Sequence, residues 1–158
     1  MGTAYFQKKI LEFIPDLLTL HSLFPERYPH LFASTAKGNN DVRYDILFAC
    51  PQETVTGEHF LQRLDVEFNK NKTQAISTEL PFYGGWFLYL GYELAEEIEP
   101  SLKLIRSSSE IPVALATRFP AAIIIDHLLK KSVVVCENDQ PDCLTQILND
   151  IKKSRNKP

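Results

Sequence analysis

LPFYGGWFLYLGYELAEEIEP, residues 80–100, is the stretch of this sequence that most strongly constrains its fold. Residues 86–92 within it are almost entirely aromatic and aliphatic, which is typical of a strand buried on both faces. Gly84, Gly85 and Gly91 bracket that run, and a glycine in a strand pattern usually marks a bulge or a close backbone approach. The stretch therefore predicts a core strand that begins and ends in unusual backbone.

The residues upstream predict a strand, a helix and two further strands. Residues 4–11 are expected to form a short edge strand or an extended arm, and residues 16–24 a helix. Residues 30–34 are a short apolar run, and residues 43–50 alternate between apolar and polar side chains, so both predict strands. The turn-rich residues 35–42 are expected to join them as a loop.

An amphipathic helix is predicted between these strands and the quoted stretch. Residues 57–70 place apolar side chains at spacings of three and four, which brings them to one face of a helix. Thr56 is the expected N-cap because its hydroxyl can accept from a backbone N–H of the first turn. The predicted apolar face consists of Phe60, Leu61, Leu64 and Phe68.

The downstream residues predict two helices and a hairpin. Residues 92–99 are expected to form a short helix, and we interpret its acidic residues as a solvated face rather than a cation site. Residues 101–111 predict a surface loop. Residues 113–126 and 132–136 are β-branched runs that flank a polar turn, which indicates a hairpin. A last helix has Pro141 in its first turn and an apolar stripe of Leu144, Ile147, Leu148 and Ile151.

The order of these elements predicts the fold class. Strands and helices are mixed without the regular alternation that is typical of parallel sheets. Short turns between neighbouring strands favour an α+β fold with a mainly antiparallel sheet and packed helices. We expect residues 43–50, 83–91 and 113–135 to share one central sheet.

Composition argues against several classes of function. The chain of 158 residues carries a formal net charge of −3 and has no basic stripe, so we expect no nucleic-acid partner. No run approaches the ~20 apolar residues that cross a bilayer, and Gln7, Lys8 and Lys9 interrupt any early signal-peptide segment. We therefore expect a cytoplasmic protein without a membrane partner.

The three cysteines, Cys50, Cys136 and Cys143, show no paired spacing. An odd number without such a pattern argues against a disulfide framework, and Cys136 and Cys143 lie too far apart for a CxxC motif. The expected state is reduced thiols in a cytoplasmic protein.

Motifs for catalysis or metal binding are missing from the sequence. There is no phosphate-binding loop, nucleophile elbow or zinc-protease motif. Asp126 and His127 are neighbours on a predicted strand and would point to opposite faces, so they make a poor acid–base pair. No histidine has a second His or a Cys at ligand spacing, so no metal site is expected. The histidines are His21, His30, His59 and His127.

Residues 80–100 are similar to the glycine-rich segment of the component I enzymes that act on chorismate, the aminodeoxychorismate and anthranilate synthases. The family segment resembles P-F-x-G-G, then a small or apolar stretch, then G-Y-[DE]. This chain departs from it at Trp86, Phe87 and Leu88, where the family often has a smaller residue. The residues that match are Pro81, Phe82, Gly84, Gly85, Gly91, Tyr92 and Glu93.

Two further blocks carry the same resemblance. HLFASTAKGNNDVRYDILFACP, residues 30–51, resembles the family's short strand ending in serine, its polar loop and its Arg-aromatic-Asp strand. PVALATRFPAAIIIDHLLKKSVVV, residues 112–135, resembles the hairpin that follows. Anthranilate synthases more often carry a serine at the position of Asp45, so this residue favours aminodeoxychorismate synthase.

The resemblance implies that residues 1–158 are the amino-terminal domain of such an enzyme, with a chorismate-binding catalytic domain following residue 158. The full enzyme would replace the chorismate hydroxyl with an amino group, for para-aminobenzoate and folate synthesis. A glutamine amidotransferase subunit would supply ammonia, and Mg²⁺ would neutralise the chorismate carboxylate. The catalytic residues would lie in the missing domain, so the fragment is expected to be inactive and to hold no cofactor or metal.

The same resemblance implies a ligand site. In the family the amino-terminal domain helps to form a tryptophan pocket, and Ser34, Arg43 and Tyr44 match positions in or near it. A hydroxyl can bond the ligand's ammonium or carboxylate, and an aromatic wall suits an indole. The alternative is that Ser34 only ends a strand and that Arg43 pairs with Asp45.

Two other functions stay open. The chain could be the tryptophan-feedback domain of anthranilate synthase component I, or a freestanding amino-acid-binding or interaction module. The gene sequence beyond Pro158 separates the module from the two enzymes, because only the enzymes need further chorismate-binding sequence.

Overall fold

The computed structural model divides the chain into two compact units, which we call the large unit and the small unit. The structure describes residues 5–33, 43–71, 79–104 and 111–155. The large unit comprises residues 1–52, 77–85 and 119–158, and the small unit comprises residues 53–76 and 86–118.

The described residues form eight strands and four α-helices, with a short 3-10 turn at Tyr92–Leu94. In chain order these are β1 (Phe6–Leu11), α1 (Leu17–Leu23), β2 (His30–Phe32), β3 (Tyr44–Ala49), β4 (Thr54–Thr56), α2 (Phe60–Lys70), β5 (Gly85–Leu90), α3 (Ala95–Ile98), β6 (Ala114–Phe119), β7 (Ala121–Asp126), β8 (Lys131–Glu137) and α4 (Pro141–Arg155). None of these helices has the length and apolar character that crossing a bilayer requires.

The large unit is built on a five-stranded sheet in the order β1-β8-β7-β3-β2. Every neighbouring pair in it is antiparallel, with Tyr44 opposite Asp126 and Ala49 opposite Ala121 between β3 and β7. The predicted hairpin is β7 and β8, and the first predicted strand is the edge strand β1.

One face of this sheet packs against α1 and α4. Alternate residues of each strand point to this face, and the apolar stripes of the helices cover them. Asp16 caps α1 by accepting a hydrogen bond of 3.0 Å from the Thr19 backbone N–H. The buried members of this cluster include Leu17, Leu20, Leu47, Ile123, Ile125, Val134, Ile147 and Ile151.

The opposite face of the sheet carries a second cluster. Ala122, Ile124 and Val135 are buried there, and Phe82 from the glycine-rich stretch packs against them. Phe48 brings three aromatic rings together, because its ring centroid lies 5.1 Å from that of Phe82 and 5.5 Å from that of Phe119. Both faces of this sheet are therefore apolar, which explains the continuous hydrophobic run over β7.

The small unit is a three-stranded sheet in the order β4-β6-β5, with α2 packed on one face. Its apolar cluster is small and includes two alanines. The buried residues of the cluster are Val55, Phe60, Leu94, Ala114 and Ala116.

The predicted fold class, α+β with mainly antiparallel sheet, is confirmed, but the prediction of one central sheet is wrong. The run over residues 113–126 is divided at the fully buried Pro120, which lies between β6 and β7. Proline has no backbone N–H to continue a ladder, so the chain ends one strand there and begins another. As a result β6 joins β4 and β5, whereas β7 joins β3 and β8.

Three other local predictions need correction. Thr56 is not the N-cap of α2, because it ends β4 and its hydroxyl donates to the Ala114 carbonyl over 2.8 Å. Phe68 does not share the buried face of α2, since it is 49% exposed. The run over residues 86–92 is not buried on both faces either, because Leu90 at the end of β5 is 54% exposed.

The predicted state of the cysteines is also wrong. Cys50 and Cys143 form a disulfide, and only Cys136 is a free, buried thiol. The bonded pair is separated by 93 residues, so its proximity comes from the packing of α4 on the sheet and leaves no spacing signal in the sequence.

Candidate functional site

The predicted ligand residues Arg43 and Tyr44 lie at the start of β3 in the large unit. Tyr44 is half-buried and packs against the sheet face that holds Ile124 and Val135. The guanidinium carbon of Arg43 lies 4.7 Å from the centroid of the Tyr44 ring, in the geometry of a cation–π contact. Ser34 lies outside the described residues, so its place in the site stays a prediction.

An ion pair and a histidine–carboxylate contact lie beside these residues, and both join the start of β3 to the end of β7. Arg43 donates from Nη2 and Nε to Asp126 Oδ2 over 3.0 and 3.2 Å. His127 Nε2 lies 2.8 Å from Asp45 Oδ2. Arg43 therefore pairs with Asp126 on β7 and not with Asp45, as the alternative had it. Asp126 and His127 are neighbours in the chain and point to opposite faces, so they bond to different partners and form no dyad, as the sequence indicated.

Hydrogen bonds and the charge of Arg43 together outweigh the effect of burial on the pKa of Asp126. Although burial acts to raise it, the pKa of this carboxyl lies below its ordinary value, because the Leu129 backbone N–H and the Arg43 guanidinium stabilise the anion. The Leu129 N–H donates to Oδ1 over 2.9 Å. Arg43 keeps a 43% exposed side chain, so its remaining N–H donors can bind a second carboxylate, such as that of an amino acid.

The first half of the glycine-rich motif, residues 81–85, lies in the large unit, and its backbone geometry requires glycine. Gly84 has φ +124°, a conformation that favours glycine, and a Cβ at this position would overlap the buried side chain of Glu137. Phe82 packs against Phe48, and the next strand begins at Gly85. The predicted close approach at this glycine pair is confirmed.

The second half of the motif lies in the small unit. The Gly91 N–H donates to the Val113 carbonyl over 2.7 Å, and a Cβ on Gly91 would lie 2.7 Å from the same oxygen. Only glycine therefore allows the backbone of β5 to stay this close to the residue before β6. Tyr92 is 81% exposed, and Glu93 lies in the 3-10 turn.

A cavity of about 700 Å³ in the small unit is a feature that sequence reasoning missed. It lies between the start of α2, the acidic segment at residues 93–97, and residues 100–104 and 112–114. The acidic run is its only signal in the sequence, and by itself that run predicts a solvated face.

Two of the glutamates beside the cavity accept hydrogen bonds from backbone N–H groups. Glu97 accepts the N–H groups of Phe60 and Leu61 over 3.0 and 2.8 Å, and so supplies the cap of α2 from a distant segment. Glu96 accepts the Leu104 N–H over 2.6 Å. Glu97 is nevertheless exposed and Glu96 is half-buried, so the acidic run is solvated and also holds backbone at these two residues.

Metal binding finds no support in the part of the chain that the structure describes. No group of three or more His, Cys, Asp or Glu side chains there could hold a metal ion. The Mg²⁺ of the chorismate-using enzymes therefore has no set of ligands among these residues.

Comparison with solved structures shows a likeness of fold. No protein-family model and no curated protein matches the sequence. Among solved structures, the chain is similar to anthranilate synthase component I from Streptococcus pneumoniae TIGR4, with a TM-score of 0.58 and 19% sequence identity. The match covers 79% of this chain but only 32% of the other, so this chain spans about a third of that protein's length. The α+β architecture is thus the fold of a fragment of anthranilate synthase component I.

Proposed function

We propose that this chain is the amino-terminal part of aminodeoxychorismate synthase component I, an enzyme that aminates chorismate to 4-amino-4-deoxychorismate. The fold likeness to anthranilate synthase component I over 79% of the chain carries this proposal. It is supported by the three sequence blocks that resemble chorismate-using enzymes and occur in the family order. In this proposal the chain serves as a scaffold, and the reaction takes place in the part of the enzyme that it lacks.

The choice of aminodeoxychorismate synthase rests on Asp45. Where anthranilate synthases more often have serine, this carboxylate accepts from His127 across the sheet, so it is part of the structure around the ligand residues. Anthranilate synthase component I is the second candidate, because the similar solved structure bears that name. The two enzymes differ in the ring position that receives the amino group.

A glutamine amidotransferase subunit is the proposed source of ammonia. Mg²⁺ is proposed to bind in the rest of the enzyme, since the described residues offer it no ligand cluster. There it would neutralise the chorismate carboxylate. The residues of this chain take no part in that step.

Tryptophan is the proposed ligand of the site at Ser34, Arg43 and Tyr44. The exposed guanidinium of Arg43 would bind the ligand's carboxylate, and Asp126 would hold that guanidinium in place. The ring of Tyr44 would form part of an aromatic wall for the indole, and the Ser34 hydroxyl would bond the ammonium or carboxylate.

The test is to identify the product that the full gene product makes from chorismate, ammonia and Mg²⁺. We expect 4-amino-4-deoxychorismate by liquid chromatography and mass spectrometry. Anthranilate as the product would favour the second candidate, and a gene without chorismate-binding sequence after Pro158 would contradict both. The 158-residue chain alone is the control and should not consume chorismate.

A further inference from the structure

The disulfide between Cys50 and Cys143 joins two elements of the large unit that the sequence keeps far apart. Cys50 follows directly after β3, and Cys143 lies in the first turn of α4. The pair therefore fixes the beginning of α4 to the end of a central strand.

A second anchor holds α4 to the same part of the unit. The buried Asp150 forms an ion pair with Arg27 and accepts a hydrogen bond of 3.1 Å from the Tyr28 hydroxyl. Ile147 and Ile151 bury the same half of the helix in the core. These contacts do not involve sulfur, so they do not depend on the disulfide bond itself.

The backbone at Cys50 is held in a conformation that few residues adopt. Its φ is +59°, in the left-handed region, and its N–H donates to the Arg27 carbonyl over 2.9 Å. Arg27 thus contacts both anchors, through its carbonyl at Cys50 and through its guanidinium at Asp150.

We propose that the Cys50–Cys143 disulfide is a reversible redox switch that fixes the first turn of α4 when oxidised and releases it when reduced. The second half of the helix stays docked in both states. The structure thus assigns the redox response to one turn of one helix, and the rest of the large unit keeps its fold.

The chemistry is thiol–disulfide exchange with a dithiol reductant, which supplies two electrons. A reductant thiolate attacks Sγ of Cys50, the half-buried and more accessible partner, and the S–S bond breaks. Cys143 leaves as a thiolate, which the amino-terminal end of a 15-residue helix stabilises. The second reductant thiol then displaces Cys50, and two protons go to the protein's cysteines. A low-molecular-weight disulfide, such as oxidised glutathione, reverses the reaction.

The third cysteine does not compete in this exchange. Cys136 is fully buried, and burial raises the pKa of its thiol to about 11. Its S–H donates to the Gln140 carbonyl over 3.2 Å. A buried, protonated thiol is a poor nucleophile, so the exchange stays between Cys50 and Cys143.

Amide hydrogen exchange tests the proposal on the whole chain in two states. One sample is treated with oxidised glutathione to form the disulfide, and the other is reduced with dithiothreitol. Thiol titration in denaturant should find one thiol in the oxidised chain and three in the reduced chain. On reduction, amides in the first turns of α4 should exchange about tenfold faster, and those around Ile147 to Ile151 should keep their rates. Re-oxidation should restore the first pattern.

Matched variants separate the switch from other effects of the reductant. Cys50→Ser should exchange like the reduced chain in both buffers, and Cys136→Ala should keep the full redox response. Three thiols after oxidation, equal exchange in both states, or unfolding of the whole chain on reduction would each overturn the proposal.

Discussion

The two units bury their sheets to different extents. The five-stranded sheet of the large unit has an apolar cluster on each face, closed by α1 and α4 on one side and by Phe82 and its neighbours on the other. The described part of the small unit has one small cluster, and its edge strand β5 leaves Leu88 and Leu90 45% and 54% exposed. The comparison indicates that most of the apolar stabilisation lies in the large unit.

The largest expected effect comes from truncating the core of the large unit. Ile123 is fully buried in β7, so Ile123→Ala should lower the free energy of unfolding by about 3–4 kcal/mol through lost burial and a cavity. Ile98 in the small unit is 71% exposed, and Ile98→Ala should change it by less than about 0.5 kcal/mol. Urea unfolding followed by circular dichroism measures both, and equal losses would refute the contrast.

A smaller loss of stability is expected when alanine replaces two glycines with positive φ, one in each unit. Gly84→Ala in the large unit adds a clash with Glu137 to the backbone strain, and should cost about 2–3 kcal/mol. Gly57 in the small unit has φ +87°, but a Cβ there would meet nothing closer than Arg63 Nη1 at 3.9 Å. Gly57→Ala should therefore cost only about 1 kcal/mol. Thermal unfolding of both variants ranks them, and the reverse order would mean that Glu137 moves aside freely.

A still smaller effect is expected on how the stability of the large unit depends on pH. The pKa of Asp126 is lower in the folded state than in the unfolded state, so its stabilising contribution is complete above the unfolded value, about 4. It is lost as the pH falls through the lower folded value. Because Arg43 is exposed, solvent screening keeps the contribution of the pair small. The difference in unfolding free energy between wild type and Asp126→Asn should therefore shrink as the pH falls below about 4, and a constant difference down to pH 2 would contradict this pairing.

The weakest effect is expected from tryptophan. Only Arg43 and Tyr44 of the proposed site lie within the described residues, and a pocket that desolvates part of a ligand binds it poorly. Calorimetric titration of the isolated chain should show weak binding or none. Micromolar binding that Ser34→Ala abolishes would mean that the pocket is complete within this chain, and would favour a freestanding amino-acid-binding module.

Sequence periodicity predicted where the strands and helices lie better than which strands pair with each other. The α+β class, the edge strand β1 and the β7–β8 hairpin follow from local patterns. The division into two sheets at Pro120 was missed, because the β-branched run on either side of it looks continuous. Which strand pairs with which depends on long-range packing, and local patterns do not encode it.

The site residues show the same limit. The sequence offered Asp45 as an ionic partner of Arg43, but the carboxylate that binds it comes from Asp126 on another strand. The role of Glu97 could not be predicted for the same reason, since the N–H groups that donate to it belong to a helix at residues 60–70. The bond between Cys50 and Cys143 also depends on contacts that sequence spacing does not report.

The small unit is formed by two separate segments, residues 53–76 and 86–118, and the large unit contains the residues on both sides of each. If the small unit melts while the large unit stays folded, each segment becomes a closed loop instead of a free chain. A loop with fixed ends has fewer conformations than a free chain, so melting gains less entropy. The folded large unit thereby acts on the small unit as a cross-link would. The insertion of the small unit's two segments into the large unit therefore offsets part of the stability that the small apolar core does not supply.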